Sequence, residues 1–451
     1  MKLDNKKIIL IGLAFLTIQA FEQMYNSVMP LMLTNAMGVN EQITGAIMGV
    51  DNILALFLMP LFGILSDKTR TPIGRRMPFI LVGSALAVVL MNLLPLLANR
   101  YYTAPSTGLL IAFCVTLGVL LVVICSYRSP AVALMPDITP KPLRSKGNAL
   151  INLMGALGGI IYFALSMFLY SDKNIRKYYT LSNGQTSVVD YTVLFAVLSG
   201  IIVVSIAVMA LTVRENKLYA ETLAYEKAHP EEDLSEEGSG EVTVLPKAVK
   251  KSLLFLLASV ALWYMAYNAV TTWFTKYIET TMGVGIGGAS TCLLVANVGA
   301  IVSYIPIGML SSKIGRKKSI LLGVGLLTAT FAVAYAVFLH ATSVTPLMYV
   351  LFAAVGVAWA TISVNSLPMV VEMCKGGDVG RFTGYYYTFA MVAQVLTPVL
   401  SAALLKLDYH FLFPYAAVFS ALAFFTMLAV RHGDCKMEAK KGLDAFAEMD
   451  S

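Results

Sequence analysis

Residues Gly63-Ile64-Leu65-Ser66-Asp67-Lys68-Thr69-Arg70-Thr71-Pro72-Ile73-Gly74-Arg75-Arg76 decide the fold. The stretch starts as the end of an apolar run, passes one acid and closes in a basic turn. A shift of about 245 residues brings the pattern back as Gly308-Met309-Leu310-Ser311-Ser312-Lys313-Ile314-Gly315-Arg316-Lys317-Lys318. Recurrence at half the chain length is the mark of an internal duplication. The match extends outward from the loop. Met37-Gly38-Val39 falls on Met282-Gly283-Val284, and Asn52 falls on Asn297. Farther on, a shift of 237 places Arg144 and Gly147 on Arg381 and Gly384, a drift that short loop deletions explain.

Both copies of the loop join long apolar runs. The runs are 8–33, 43–65, 79–98, 107–135, 147–170, 191–212, 251–278, 289–310, 319–340, 345–373, 382–405 and 409–430. Each is long enough to cross a hydrocarbon layer of roughly 30 Å at a rise of 1.5 Å per residue. Helices satisfy backbone polar groups locally, so these runs are expected to be helical. The chain is 58% hydrophobic and only 13% charged, too few charges to clothe a soluble protein of this size. The expected fold class is therefore an all-α membrane protein, with twelve transmembrane helices in two six-helix pseudo-symmetric halves. The expected domains are an N-terminal bundle 1–212, a linker 213–250, a C-terminal bundle 251–430 and a tail 431–451.

Orientation follows from Lys and Arg. The N-terminus, the tail and the loops on their side hold 26 of the 33 basic residues, and the opposite loops hold 5. The positive-inside rule puts both termini in the cytoplasm. The net charge of +7 is explained by these loops, so nucleic acid is not an expected partner. The partners expected are the lipid bilayer and a small-molecule substrate, with the chain a monomer in the cell membrane. The first run carries Glu22 and lacks a small-residue cleavage site, so it reads as a retained helix. The five cysteines have no CxxC spacing and read as small apolar residues. No metal ligand set or cofactor is expected. The acidic stretch within 213–250 predicts a solvated, mobile linker. Asn183-Gly184 predicts a short hairpin or a lid in the outer loop 171–190.

The loop residues Gly63, Ser66-Asp67-Lys68 and Gly74-Arg75-Arg76 resemble the loop between the second and third helices of the major facilitator superfamily. Ser66-Asp67 with Gly74 to Ile80 resembles, within it, the sucrose–proton symporters of the glycoside–pentoside–hexuronide group. So does Ser129-Pro130-Ala131-Val132-Ala133-Leu134-Met135-Pro136-Asp137. The likeness is strongest over roughly residues 15–165. It implies proton-coupled sugar uptake. Melibiose-type members carry two acids for sodium on the second helix; those positions are Met59 and Ala55 here. Proton is therefore the expected coupling ion, with sodium disfavoured. The acid of plant sucrose transporters on the fourth helix falls near the apolar Leu121, and their Arg before Ala-Leu-Leu is Val132. Sucrose itself is not carried over.

Charges inside a span are costly and mark function. Glu22 lies in the middle of the first span, Asp51 in the outer part of the second, and Arg128 in the fourth. Glu22 and Asp51 are roughly 5 Å apart in depth, and Arg128 about 9 Å inward of Glu22. A carboxyl held away from water disfavours its charged form, and a second carboxylate adds to this. Glu22 or Asp51 is the expected proton carrier, with Arg128 its competitor; the alternative is a structural carboxyl. Polar groups surround them. Gln19, Gln23 and Asn26 share one stripe with Glu22. Tyr264, Tyr267, Asn268 and Thr271 form the equivalent stripe in the seventh span. Asn52, Asn297, Asn152, Trp359, Asn365, Tyr386 and Gln394 add further groups. Amides, hydroxyls and aromatic faces suit a neutral sugar; the alternative for each is bonding between helices. Trp273 and Tyr277 read as interfacial anchors.

At the cytoplasmic end, Asp67 is expected to pair with a helix N-terminus or with an Arg across the halves. Arg75, Arg76, Asp137, Arg144, Glu372 and Arg381 are the other expected gating residues; the alternative is that they only fix topology. The leading expectation is symport of a neutral sugar or glycoside with a proton. The alternatives are a transporter or exporter of another small organic solute, and a non-transporting nutrient sensor, which the short tail argues against. No HExxH or Walker spacing supports an enzyme.

Overall fold

A computed structural model describes residues 5–140, 144–171, 174, 180–184, 186–228, 246–373 and 379–433. Twelve of its helices are long and apolar enough to cross a membrane. The N-terminal half contains α1 (Asn5–Leu31), α2 (Glu41–Lys68), α3 (Met77–Thr103), α4 (Thr107–Asp137), α5 (Arg144–Leu169) and α6 (Thr192–Thr212). A separate helix, α7 (Glu215–Ala228), follows. The C-terminal half contains α8 (Lys247–Met282), α9 (Ile286–Ile314), α10 (Arg316–Leu339), α11 (Pro346–Val371), α12 (Val379–Leu405) and α13 (Leu412–Leu428). The expected hairpin in the outer loop is present, as β1 (Thr180–Ser182) paired antiparallel with β2 (Ser187–Val189).

Packing repeats with the sequence. In the first half α1 packs on α5 and α6, α4 packs on α2 and α3, and α3 packs on α6. In the second half α8 packs on α12 and α13, α11 packs on α9 and α10, and α10 packs on α13. Each pair in one half has its counterpart in the other. The halves meet through α2 against α12, α5 against α9 and α1 against α8. The first two are exchanged by the pseudo-twofold relation, and the third maps onto itself.

Residue type follows environment. Leu211 (83% exposed), Phe168 (72%) and Val302 (68%) stand on the outer surface, which is what a lipid-facing wall requires. Small residues set the central approach. A Cβ on Gly45 of α2 would strike the Pro398 carbonyl of α12, and one on Gly287 of α9 would strike the Tyr170 carbonyl after α5. These contacts lie at the end away from the basic loops. The same end carries hydrogen bonds between the halves: Ser290 Oγ to Ser166 Oγ (2.9 Å), Tyr409 Oη to Glu41 Oε1 (3.1 Å) and Lys406 Nζ to Gln42 Oε1 (3.3 Å). The end away from the basic loops, termed the outer end, is closed.

Two expectations are corrected. Residues 215–228 are helical, not mobile linker; residues 229–245, with the acidic run, lie outside the described set. The Leu, Ala, Glu and Lys content of residues 215–228 favours helix, and Glu215 ties this helix to the first half. Trp273 and Tyr277 are not interfacial anchors, being 0% and 1% exposed. Tyr277 packs edge-on against Phe338 and Phe413, and Phe274 joins Phe338 and Phe352. Both belong to the core of the C-terminal half.

Candidate functional site

A cavity of about 180 Å³ lies between the halves. The first half contributes Glu22, Gln23 and Asn26 from α1, Asp51 and Asn52 from α2, and Phe163 from α5. The second half contributes Tyr267, Asn268 and Thr271 from α8, Asn297 from α9, and Gln394 from α12. Helical spacing explains the α1 set, because residues three and four apart share a face. The π-helical turn Met32–Ala36 ends α1 beyond this set.

Arg128 reaches this cluster from α4. Its Nη2 lies 3.4 Å from Glu22 Oε2, each side chain being 27% exposed. The 9 Å offset in depth is spanned by the length of the two side chains. Asp51 lies within electrostatic reach of both Arg128 and Glu22. The three expected coupling residues are thus one cluster of two acids and one base. Asn268 Nδ2 is buried and has no acceptor among the described residues, while Glu22 Oε2 faces Arg128. Buried polar groups are nearly always satisfied, so the unpaired Asn268 Nδ2 on the cavity wall stands out.

Eight of the expected substrate-binding residues line the cavity: Gln23, Asn26, Asn52, Tyr267, Asn268, Thr271, Asn297 and Gln394. Asn52 also reaches across the halves, its Nδ2 donating to the Gln394 carbonyl at 3.4 Å. The other six sit behind or away from it. Trp359 stacks on Tyr267, with ring centroids 3.9 Å apart and planes at 12°. Tyr264 meets Trp359 edge-on at 5.2 Å. Asn365 is fully buried, donating to Ser311 Oγ and the Thr361 carbonyl, both at 2.9 Å. Tyr386 Oη lies 2.9 Å from Ser366 Oγ, joining α11 and α12. Gln19 packs on Gly155 of α5, and Asn152 is not on the cavity wall. Sequence periodicity found the face of each helix but not the depth of each residue behind it. Tyr25 was missed: it is 2% exposed, has a buried hydroxyl without a partner among the described residues, and lies within electrostatic reach of Asp51. Its i+3 spacing from Glu22 was the available signal.

At the basic face the expected gating residues form pairs inside each half. Asp67 binds Arg76, which also donates to Ser66 Oγ, to the Gly63 carbonyl at 3.2 Å and to Asp137 Oδ2 at 2.9 Å. Arg75 binds Asp137 Oδ1 at 2.7 Å. Asp67 therefore pairs with an Arg of its own loop, not across the halves. The helix N-terminus expected to attract it is taken by Glu215. The Glu215 carboxylate accepts from the backbone N–H groups of Arg75, Arg76 and Met77 at 2.9 to 3.0 Å, where α3 begins. Gly74 at φ +126° lets this carboxylate approach. Arg75 also lies 4.7 Å from the Tyr219 ring centroid. In the second half Arg316 pairs with Glu372 at 2.6 Å, in the place of Arg75 and Asp137. Arg381 Nε donates to Tyr385 Oη at 2.8 Å. Arg144 opens α5, and its side chain lies outside the described set. Among the described residues no group of three or more His, Cys, Asp or Glu is placed to hold a metal ion.

Comparison with known proteins fits this geometry. The chain resembles solved structures over nearly its whole length. A nucleoside transporter, NupG, aligns with a TM-score of 0.66 and 12% identity over 94% of this chain and 99% of that one. A peptide transporter, POT, aligns at 0.69 and 12% identity over 94% and 93%. A bacterial homologue of the iron transporter ferroportin, in an inward-facing state, aligns at 0.65 and 13% identity over 95% and 100%. At such identities the likeness is one of fold. Among curated proteins, the sucrose transport protein SUC3 of Arabidopsis thaliana is 27% identical over 140 residues, which is 28% of this chain and 24% of that protein. The match thus spans about a quarter of the relative's length. The model of the Major Facilitator Superfamily matches residues 11–304 and 286–442. With twelve spanning helices, two halves that pack alike and a polar cavity between them, the chain belongs to the Major Facilitator Superfamily of membrane transporters.

Proposed function

We propose that the protein is a proton-coupled symporter of a neutral sugar or glycoside, working by alternating access. The observation that carries this reading is the Glu22–Arg128–Asp51 cluster on the wall of a cavity otherwise rich in amides and hydroxyls. With both acids ionised the cluster holds one uncompensated negative charge. A solute seated against the ionised pair draws a carboxylate away from Arg128 and makes reorientation costly, whereas the emptied site returns with its carboxylates against Arg128. One proton on either acid brings the cluster to neutrality, and the halves can then reorient with a neutral solute. Proton release follows when Arg128 recaptures the carboxylate. One proton per solute is the expected ratio. The partial likeness to a sucrose transport protein supports a sugar.

In this reading the basic face is cytoplasmic, as the distribution of Lys and Arg favours, the protein is a monomer of the cell membrane, and it needs no cofactor beyond the proton. A second reading is transport of another small solute with an aromatic face, such as a nucleoside. The Tyr267–Trp359 stack favours it, because an aromatic platform holds a base as well as a pyranose.

The test is uptake into proteoliposomes of labelled mono- and disaccharides and nucleosides under an imposed proton gradient. A neutral sugar should accumulate, and a protonophore should abolish the accumulation. Glu22→Gln or Asp51→Asn should lower gradient-driven accumulation at least tenfold while leaving exchange across the membrane measurable. Undiminished accumulation in both variants would remove the coupling assignment. Accumulation of nucleosides alone would favour the second reading.

A further inference from the structure

At the outer end of the halves a second charged group lies apart from the cavity cluster. It joins α1 to α8 at the contact that the pseudo-twofold maps onto itself. Asn35 sits in the π-helical turn Met32–Ala36 that follows Pro30. Thr34 Oγ1 donates to the Pro30 carbonyl at 2.7 Å and holds the turn. π-Turns inside helices are rare and frequent at functional positions. Here the turn sets the Asn35 side chain toward the other half. Asn35 Nδ2 donates to both Glu279 oxygens at 2.7 Å, and Lys276 Nζ donates to Asn35 Oδ1 and, at 3.1 Å, to Glu279 Oε2. The Lys276 side chain is 11% exposed and that of Glu279 is 26% exposed.

We propose that Asn35, Lys276 and Glu279 are the latch that keeps the outer end of the transporter shut. Lys276 and Glu279 lie three residues apart on one helix and neutralise each other whether or not the halves meet. Their ion pair therefore needs no partner across the interface. What the partner adds is an amide that serves both ions at once, donating to the carboxylate and accepting from the ammonium. Charge-assisted hydrogen bonds are stronger than neutral ones, and these form only in the outer-closed state. In the open state the same groups are neutral as a pair and exposed to water, so opening strands no charge. The latch thus biases the equilibrium without trapping it. The Ser166–Ser290 link joins α5 and α9, away from α1 and α8, whereas Tyr409, which bonds Glu41, lies beside Thr280 and Glu279 of α8.

The inference rests on alternating access alone, so its test needs neither sugar nor proton gradient. Spin labels at Ala104→Cys and Ser343→Cys report the outer end, in a background lacking the native cysteines. Labels at Lys68→Cys and Lys318→Cys report the basic end. All four sites lie in or beside the loops and are exposed. The unsubstituted latch should give a short outer distance. Asn35→Ala and Glu279→Gln should each raise the population at longer outer distance about tenfold and shorten the distance at the basic end. Ser290→Ala should leave both distributions in place. Unchanged outer distances in Asn35→Ala and Glu279→Gln would overturn the latch. If Glu279→Gln does not yield folded protein, Asn35→Ala, which removes no charge, decides alone. Failure of sugar uptake with a shifted outer distance would count against the proposed substrate and not against the latch.

Discussion

At the residue scale, coupling and stability depend on which polar atoms have partners. Arg128 balances Glu22 and lies near Asp51. Replacing it with Gln removes the one base that can recapture a carboxylate after the proton leaves. Arg128→Gln should bind protons but not release them: gradient-driven uptake should fall at least tenfold while solute exchange persists, measured in proteoliposomes. Glu215 is a structural counterpart. Its carboxylate meets three N–H groups at the start of α3, and the residue is 2% exposed. Glu215→Ala leaves these donors unserved, which should cost about 2 kcal/mol and lower the midpoint of thermal unfolding in detergent. Glu215→Gln, which keeps an acceptor, should recover part of the loss. Sequence pointed to Glu22, Asp51 and Arg128 because charge inside an apolar run is conspicuous. It did not point to Glu215, an acid in a loop rich in acids, or to Asn35, whose role depends on a π-turn no local pattern announces.

At the element scale the spans were legible because hydrophobic length is a strong signal. Some of the observed helices extend the apolar runs by a few residues, as with Lys247–Met282 around 251–278, and others stop short, as with Pro346–Val371 inside 345–373. Ends are polar and carry no hydropathy signal. The linker helix was hidden by composition: the acids after residue 230 drew attention from the Leu, Ala and Tyr face of 215–228. Close approach between elements could not be read either, since Gly45 and Gly287 look like any glycine in an apolar run. Their role is now a prediction. Gly45→Val places side-chain atoms where the Pro398 carbonyl lies, and it should hold α2 from α12 at the outer end. Uptake should fall at least fivefold, and the outer label distance should lengthen. The same substitution at Gly384, where no atom outside its own helix backbone lies within 4 Å of the added Cβ, should leave both unchanged.

At the scale of the whole molecule, duplication explains both what is shared and what differs. The halves share packing and the basic-loop pairs Arg75–Asp137 and Arg316–Glu372. They differ in the membrane. Glu22 of α1 occupies the position of Tyr267 in α8, and Asp51 of α2 that of Ala296 in α9. The carboxylates lining the cavity belong to the first half, while the second supplies aromatic and amide walls. That asymmetry was legible from the repeat, whereas the meeting of Glu22 and Arg128 required the helix faces. The central claim is that this one cluster carries one proton per solute. The reversal potential of sugar uptake in proteoliposomes, titrated against imposed pH and solute gradients, tests it most directly. One proton per sugar is predicted, with coupling lost in Glu22→Gln. Uptake that ignores the proton gradient, or a ratio unaltered by loss of both Glu22 and Asp51, would contradict it.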